Sequence, residues 1–173
     1  LPDPVGRQAI IDYFRGFLAL ASVQNTGYVL DSVTWKAHSH WAGDLGASDQ
    51  ELREANRNSI ALMSRLREEF ASNAKPIVLN GIIGPQGDAY APEADVAVHE
   101  AEDYHAQQIG WLADTAVDMV TALTFTQSDE ASGLVLAARR AGLPVVVSFT
   151  VETDGRLPTG QPLGEAIDAV DQA

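Results

Sequence analysis

At 173 residues and 46% hydrophobic composition, the chain is long enough to bury a substantial core. Its 24 acidic residues outnumber 11 basic ones, giving a formal net charge of -13, and Arg139-Arg140 is the only adjacent basic pair, which argues against a nucleic-acid backbone or an anionic membrane surface as partner. There is no cysteine, which excludes disulfides, thiolate metal ligands and a cysteine nucleophile within these residues, and no apolar run approaches the roughly 18 residues of a membrane-spanning helix.

A cysteine-free chain suits the cytoplasm, the expected compartment. The opening Leu1-Pro2-Asp3-Pro4 is neither an initiator methionine nor a signal peptide, so the chain reads as an internal piece of something longer. Residues 5 to 24 follow, with Ile10, Ile11, Phe14, Phe17, Leu18 and Ala21 at helical spacing behind Asp3-Pro4. Tyr28 to Trp35 is a strand candidate that runs into a polar cluster, Lys36 to His40. Ser48-Asp49-Gln50-Glu51 is a capping-box pattern, and it opens an amphipathic helix expected to reach about Ala74.

Ile77 to Leu79 form a short apolar run that breaks into Gly81, Gly84, Pro85 and Gly87, followed by Asp88 and Tyr90. An apolar strand ending in a glycine-rich polar loop is how an α/β protein carries chemistry to the C-terminal edge of its sheet. Residues 91 to 97 read as a loop, 98 to 115 as a helix, 118 to 125 as a strand and 127 to 141 as a helix closed by Gly142. Pro144 to Val151 is the next strand, 154 to 160 a loop, and a last helix starts at Leu163.

Helices and strands alternate strictly, which predicts an α/β fold with a parallel sheet, since parallel strands need long crossovers. No linker or repeat interrupts the pattern, so residues 1 to 173 are expected to form one domain. Neither G-x-G-x-x-G nor G-x-x-x-x-G-K-[ST] occurs, so no phosphate-binding loop is indicated. Four strands could form a small doubly wound sheet or part of a (β/α)8 barrel, which takes about 250 residues.

Several segments carry a resemblance. Thr34-Trp35-Lys36-Ala37 is similar to a "T-[YW]-x-A" segment, and Glu54-Ala55-Asn56-Arg57 follows it on a helix. Asn80 to Tyr90 is similar to "G-C-I-G-P-R-G-D-x-Y". Tyr104-His105-x-x-Gln108-Ile109, Ser148-Phe149-Thr150, Asp154-Gly155 and Gly160-x-Pro162-Leu163 complete the set. Together they resemble the homocysteine S-methyltransferase family over essentially the whole chain.

The resemblance implies parallel β/α units of a TIM (β/α)8 barrel, about strands two to five, incomplete in this chain. It implies methyl transfer from a sulfonium-type donor such as S-methylmethionine to a small-molecule thiol such as homocysteine, as in methionine biosynthesis. It also implies zinc, held by three cysteines that would lie beyond Ala173, while the family's first strand would lie before Leu1. This segment alone is then expected to be inactive. Two positions depart from the family. Leu123 stands where an acid that holds the homocysteine amino group is common, and Ile82 stands where the glycine-rich loop has cysteine. The first opens the way to another methyl acceptor.

The candidate substrate-binding residues are Trp35, Asn80, Asp88, Thr124 and Ser148, all at or after strand ends. Trp35 could wall a pocket or pack in the core. Asp88 could face substrate or cap its own turn, and Asn80, Thr124 and Ser148 could point to the mouth or be satisfied by neighbouring strands. No residue is assigned a catalytic role, and His38-x-His40 lacks a third metal ligand nearby. His105 reads as a loop anchor, Tyr104 as packing, and Glu152 with Asp154 as a solvated loop. A different class of function stays open: a non-catalytic half-barrel whose unpaired edges pair into a homo-oligomer.

Overall fold

The computed structural model describes residues 3–72, 75–89 and 96–173. Helix α1 (Pro4–Val23) is capped by Asp3, whose carboxylate accepts from the amides of Val5 and Gly6. Strand β1 (Tyr28–Asp31) follows, then a 3-10 turn (Ser39–Trp41), a one-turn helix α2 (Ala42–Leu45) and the long α3 (Asp49–Phe70). Strand β2 (Ile77–Ile83), α4 (Val98–Ala113), β3 (Met119–Phe125), α5 (Ser128–Arg140), β4 (Val145–Phe149) and α6 (Leu163–Asp171) complete the order.

The four strands form one parallel sheet in the order β1-β2-β3-β4, so each neighbour in sequence is a neighbour in space. This is the strand order of successive β/α units in a barrel wall. Alternation sends Leu30, Leu79, Ile83, Val120 and Ala122 to one face, where α1, α3, α4 and α5 cover them with Leu18, Ile60, Met63, Leu112 and Leu134. Each buried Val, Leu, Ile or Met side chain in this set contributes about 1.5–3 kcal/mol. Among the described residues no helix covers the opposite face, where Val29 and Val146 remain 50% and 49% exposed.

Several expectations are corrected. The first strand stops at Asp31 instead of Trp35, because the hydroxyls of Ser32 and Thr34 take over the next peptide groups of β2. The second strand runs on to Ile83 through Gly81. Gly81 is there for close approach and makes no turn: a Cβ on it would stand 2.8 Å from Leu112 Cδ1 and 3.2 Å from Val120 Cγ1. The polar cluster 36 to 40 leads into the 3-10 turn and α2, which the sequence pattern did not indicate. The fourth helix ends at Ala113 instead of residue 115, with the Thr115 hydroxyl donating to Leu112 O at 2.5 Å. The long helix ends at Phe70 short of Ala74, which with Tyr90 and most of the expected 91 to 97 loop lies outside the described residues.

Candidate active site

The C-terminal ends of the strands gather the loops whose residues were singled out. Beyond β1, Thr34 donates its hydroxyl to Ile82 O at 2.7 Å, and Ser32 Oγ lies 2.6 Å from Thr34 Oγ1. Ile82 N in turn donates to Ser32 Oγ at 2.9 Å. Since the single Thr34 proton goes to Ile82, Ser32 must donate to Thr34, and three hydrogen bonds close into a ring. Ser32 and Thr34 are 4% and 1% exposed, so the ring is shielded from water.

The ring delivers Trp35 to the top of the sheet. Its indole Nε1 donates to Leu123 O at 3.2 Å, reaching over β2 to β3. Gly84 N donates to Trp35 O at 2.8 Å, and a Cβ on Gly84 would lie 2.7 Å from that oxygen and 2.8 Å from Nε1. Only glycine lets the loop after β2 slide under the tryptophan. Lys36 then ties that loop down, donating from Nζ to Gly87 O at 2.6 Å and Pro85 O at 3.2 Å, with its ammonium 3.9 Å from the Trp41 ring centroid.

Two buried amides hold the loop from below. Gln108 Nε2 donates to Thr34 O at 2.8 Å and to Asn56 Oδ1 at 3.1 Å, while Asn56 Nδ2 donates to Ala37 O at 2.7 Å and Leu52 O at 2.8 Å. His105, fully buried, approaches Glu130 Oε1 at 3.1 Å, and the same oxygen accepts from Gln86 N at 2.6 Å. The expected anchoring role of His105 thus runs through Glu130. Tyr104 stacks on His38 with centroids 3.9 Å apart, and burial pushes its phenol up. His38 uses both ring nitrogens: Nδ1 accepts from His40 N at 3.0 Å, which leaves Nε2–H to donate to Tyr104 O at 3.0 Å. Burial pushes its imidazole down to about 4.

A shared acceptor links two of the five candidate residues. Trp35 and Thr124 come together, because Leu123 O accepts from both the indole and, at 2.5 Å, the Thr124 hydroxyl. Thr124 has φ 63, a left-handed value that is a genuine outlier for a β-branched residue, where the pairing of β3 with β4 shifts register. Asn80 is buried in mid-strand on the open face and bonded on both sides, to Asp31 Oδ1 at 2.8 Å and from Thr121 Oγ1 at 3.0 Å. Ser148 is half-buried in β4, and Asp88 is exposed in the glycine-rich loop. Glu152 and Asp154 are both exposed, as the solvated-loop reading expects. Residues not singled out individually, namely Ser32, Thr34, Lys36, Asn56, Gln108 and Glu130, build the framework. All but Ser32 and Glu130 fall inside the quoted motifs, which was the available signal.

A family model described as homocysteine S-methyltransferase matches residues 3–173. The chain belongs to this family. Among curated proteins no sequence matches it. Solved structures of the homocysteine methyltransferase MmuM from Escherichia coli share its fold. The metallated form has a TM-score of 0.77 at 17% identity, covering 99% of this chain and 64% of that one. The oxidized form has a TM-score of 0.74 at 17% identity, covering 99% and 63%. The apo form has a TM-score of 0.70 at 19% identity, covering 96% and 56%. The chain therefore spans less than two thirds of the length of these structures, and its sheet has the parallel α/β build of part of a TIM-type barrel.

The zinc implied by the family does not fit the residues of this chain. There is no cysteine, and among the described residues no three His, Asp or Glu side chains are grouped to share a metal ion. His38 has both nitrogens engaged, and His105 faces Glu130. Among the described residues no helix is long and apolar enough to cross a membrane.

Proposed function

We propose that the protein containing this chain transfers a methyl group from a sulfonium-type donor such as S-methylmethionine to a thiol such as homocysteine, a methionine-forming step in the cytoplasm. The observation that carries the reading is the family match along residues 3–173. In the transfer, thiolate sulfur forms a bond to the methyl carbon while the donor's methyl–sulfur bond breaks, and that electron pair returns to sulfur as a thioether. The thiol proton leaves to solvent. Anion and cation cancel as the methyl moves, so apolar surroundings favour the transition state over the separated ions.

Supporting this, Leu123, whose carbonyl accepts from the Trp35 indole, and Ile82 on the neighbouring strand both put apolar side chains on the open face. In this proposal Trp35 walls the pocket, while Asn80, Asp88, Thr124 and Ser148 supply polar positioning. Activation of the thiol by zinc belongs to the same proposal, with ligands drawn from residues other than these. The full-length protein, given zinc, homocysteine and S-methylmethionine with a labelled methyl, should yield labelled methionine by mass spectrometry. Absence of methylation of homocysteine and of other small thiols would overturn the reading. If another thiol alone is methylated, the acceptor assignment falls and the reaction class stands.

A specific observation favours a second reading. Both edge strands are unpaired within this sheet, and Val29 and Val146 on them are 50% and 49% exposed. Such edges suit a binding or oligomerisation module. A stable symmetric dimer of the 173-residue chain in light scattering, with no transferase activity in the full-length protein, is its expected signature.

A further inference from the structure

We propose that Asp31 recognises the ammonium group of an amino-acid thiol on the open face of the sheet. This deepens the proposed function and rests on it. Alternation along the strands puts Val29, Asp31, Asn80, Thr121, Leu123 and Ser148, among others, on that face, and Asp31 is the only ionisable residue on it within the four strands.

Its carboxylate is held in place from behind. Asn80 Nδ2 donates to Asp31 Oδ1 at 2.8 Å, and Thr121 Oγ1 donates to Asn80 Oδ1 at 3.0 Å. Asn80 and Thr121 are 3% and 8% exposed, so a shielded polar ladder crosses three strands and ends at the acid. Because the threonine proton goes to Asn80 Oδ1, the amide must turn its NH2 toward Asp31. The ladder therefore presents an anion and orients it.

Asp31 itself remains exposed, and among the described residues no Lys or Arg pairs with it. Elsewhere in the structure an acid and a base repeatedly meet, as in Arg67–Asp118 at 2.8 Å and Arg140–Glu102 at 2.7 Å. An oriented carboxylate lacking such a cation, on an otherwise uncharged face, complements a substrate cation. Val29, two residues back on the same strand and face, lowers the local polarity, which strengthens a charge-assisted hydrogen bond once a substrate covers it.

The test compares binding of homocysteine with that of 4-sulfanylbutanoate, which lacks only the amino group, by calorimetry on the full-length protein. A charge-assisted hydrogen bond predicts that wild type prefers homocysteine by about tenfold to a hundredfold. Asp31→Asn retains an acceptor for Asn80 and should abolish this preference, leaving the des-amino thiol within about twofold of its wild-type affinity. Asp31→Ser serves as a second variant with the same expectation. Persistence of the preference in a folded variant, or its absence in wild type, overturns the assignment while leaving the functional reading intact. Failure of wild type to bind either thiol overturns that reading, and the assignment with it.

Discussion

Replacing Thr34 by valine keeps the shape of the side chain and deletes one hydroxyl. In the ring beyond β1 that hydroxyl is both the donor to Ile82 O, at 2.7 Å, and the acceptor for Ser32 Oγ, at 2.6 Å. Thr34, Ser32 and Ile82 are 1%, 4% and 5% exposed, so water cannot replace either bond without opening the loop. A buried polar group left without a partner costs about 1–3 kcal/mol. Two are stranded here, although the Ser32 hydroxyl can rotate, so the loss should fall near 2–4 kcal/mol. Urea denaturation monitored by circular dichroism should show a lowered midpoint at unchanged m value. Ser32→Ala breaks the same ring from the other side, so the double variant should lose at least about 1 kcal/mol less than the sum of the single losses. A Thr34→Val protein within about 0.5 kcal/mol of wild type would refute the ring as the structural support of Trp35.

Three further outcomes are expected. Gly84→Ala places a Cβ 2.7 Å from Trp35 O, a backbone atom that cannot yield, so it should destabilise by about 1–3 kcal/mol in denaturant and separate the loop from the indole. Lys36→Met retains the stem but loses the bonds to Pro85 O and Gly87 O, and amide hydrogen exchange should accelerate in residues 84 to 88 with little change in β2. His38 is neutral in the folded protein, with burial lowering its pKa from 6.5 to about 4. Protonation therefore favours the unfolded chain: this contribution to stability is complete above pH 6.5 and is lost as pH falls toward 4, about 2 kcal/mol between pH 7.5 and 5. His38→Gln should flatten that acid limb in a series of denaturation curves, and an unchanged limb would contradict the burial argument.

The parts of the fold that local chemistry determines were legible in the sequence. The Ser48 to Glu51 capping box forms as its spacing indicates, with Ser48 N donating to Glu51 Oε2 at 2.8 Å, because the cap involves only four consecutive residues. Strict alternation of helices and strands revealed the parallel sheet, because parallel strands need long crossovers. Strand ends were harder. The sequence extends the first strand to Trp35, since Val33 and Trp35 continue the alternation, but the strand closes when Ser32 and Thr34 bond to a segment 48 to 50 residues away. Gly81 looked like a break because a glycine's role depends on what packs against it, here Leu112 and Val120.

The candidate site divides along similar lines. The quoted motifs contained Asn56, His105 and Gln108, yet nothing in their spacing says that Gln108 reaches Thr34 O across 74 positions or that Asn56 holds Ala37 O. Trp35 and Thr124 could be placed at strand ends from sequence, whereas their shared acceptor, Leu123 O, is a product of the register shift in β3. Asp31 drew no notice in the middle of a strand expected to reach Trp35, whereas it is the last residue of β1. Its significance depends on Asn80 and Thr121 lining up beside it on the open face.

The most direct measurement is a crystal structure of the full-length protein with a thiol acceptor bound. The thiol is expected on the helix-free face, beneath Trp35 and above Asn80, with its ammonium within hydrogen-bonding distance of Asp31. A thiol bound instead in the groove lined by Val135, Val147, Phe149, Leu163 and Ile167, or elsewhere on the helix-covered side of the sheet, would contradict it.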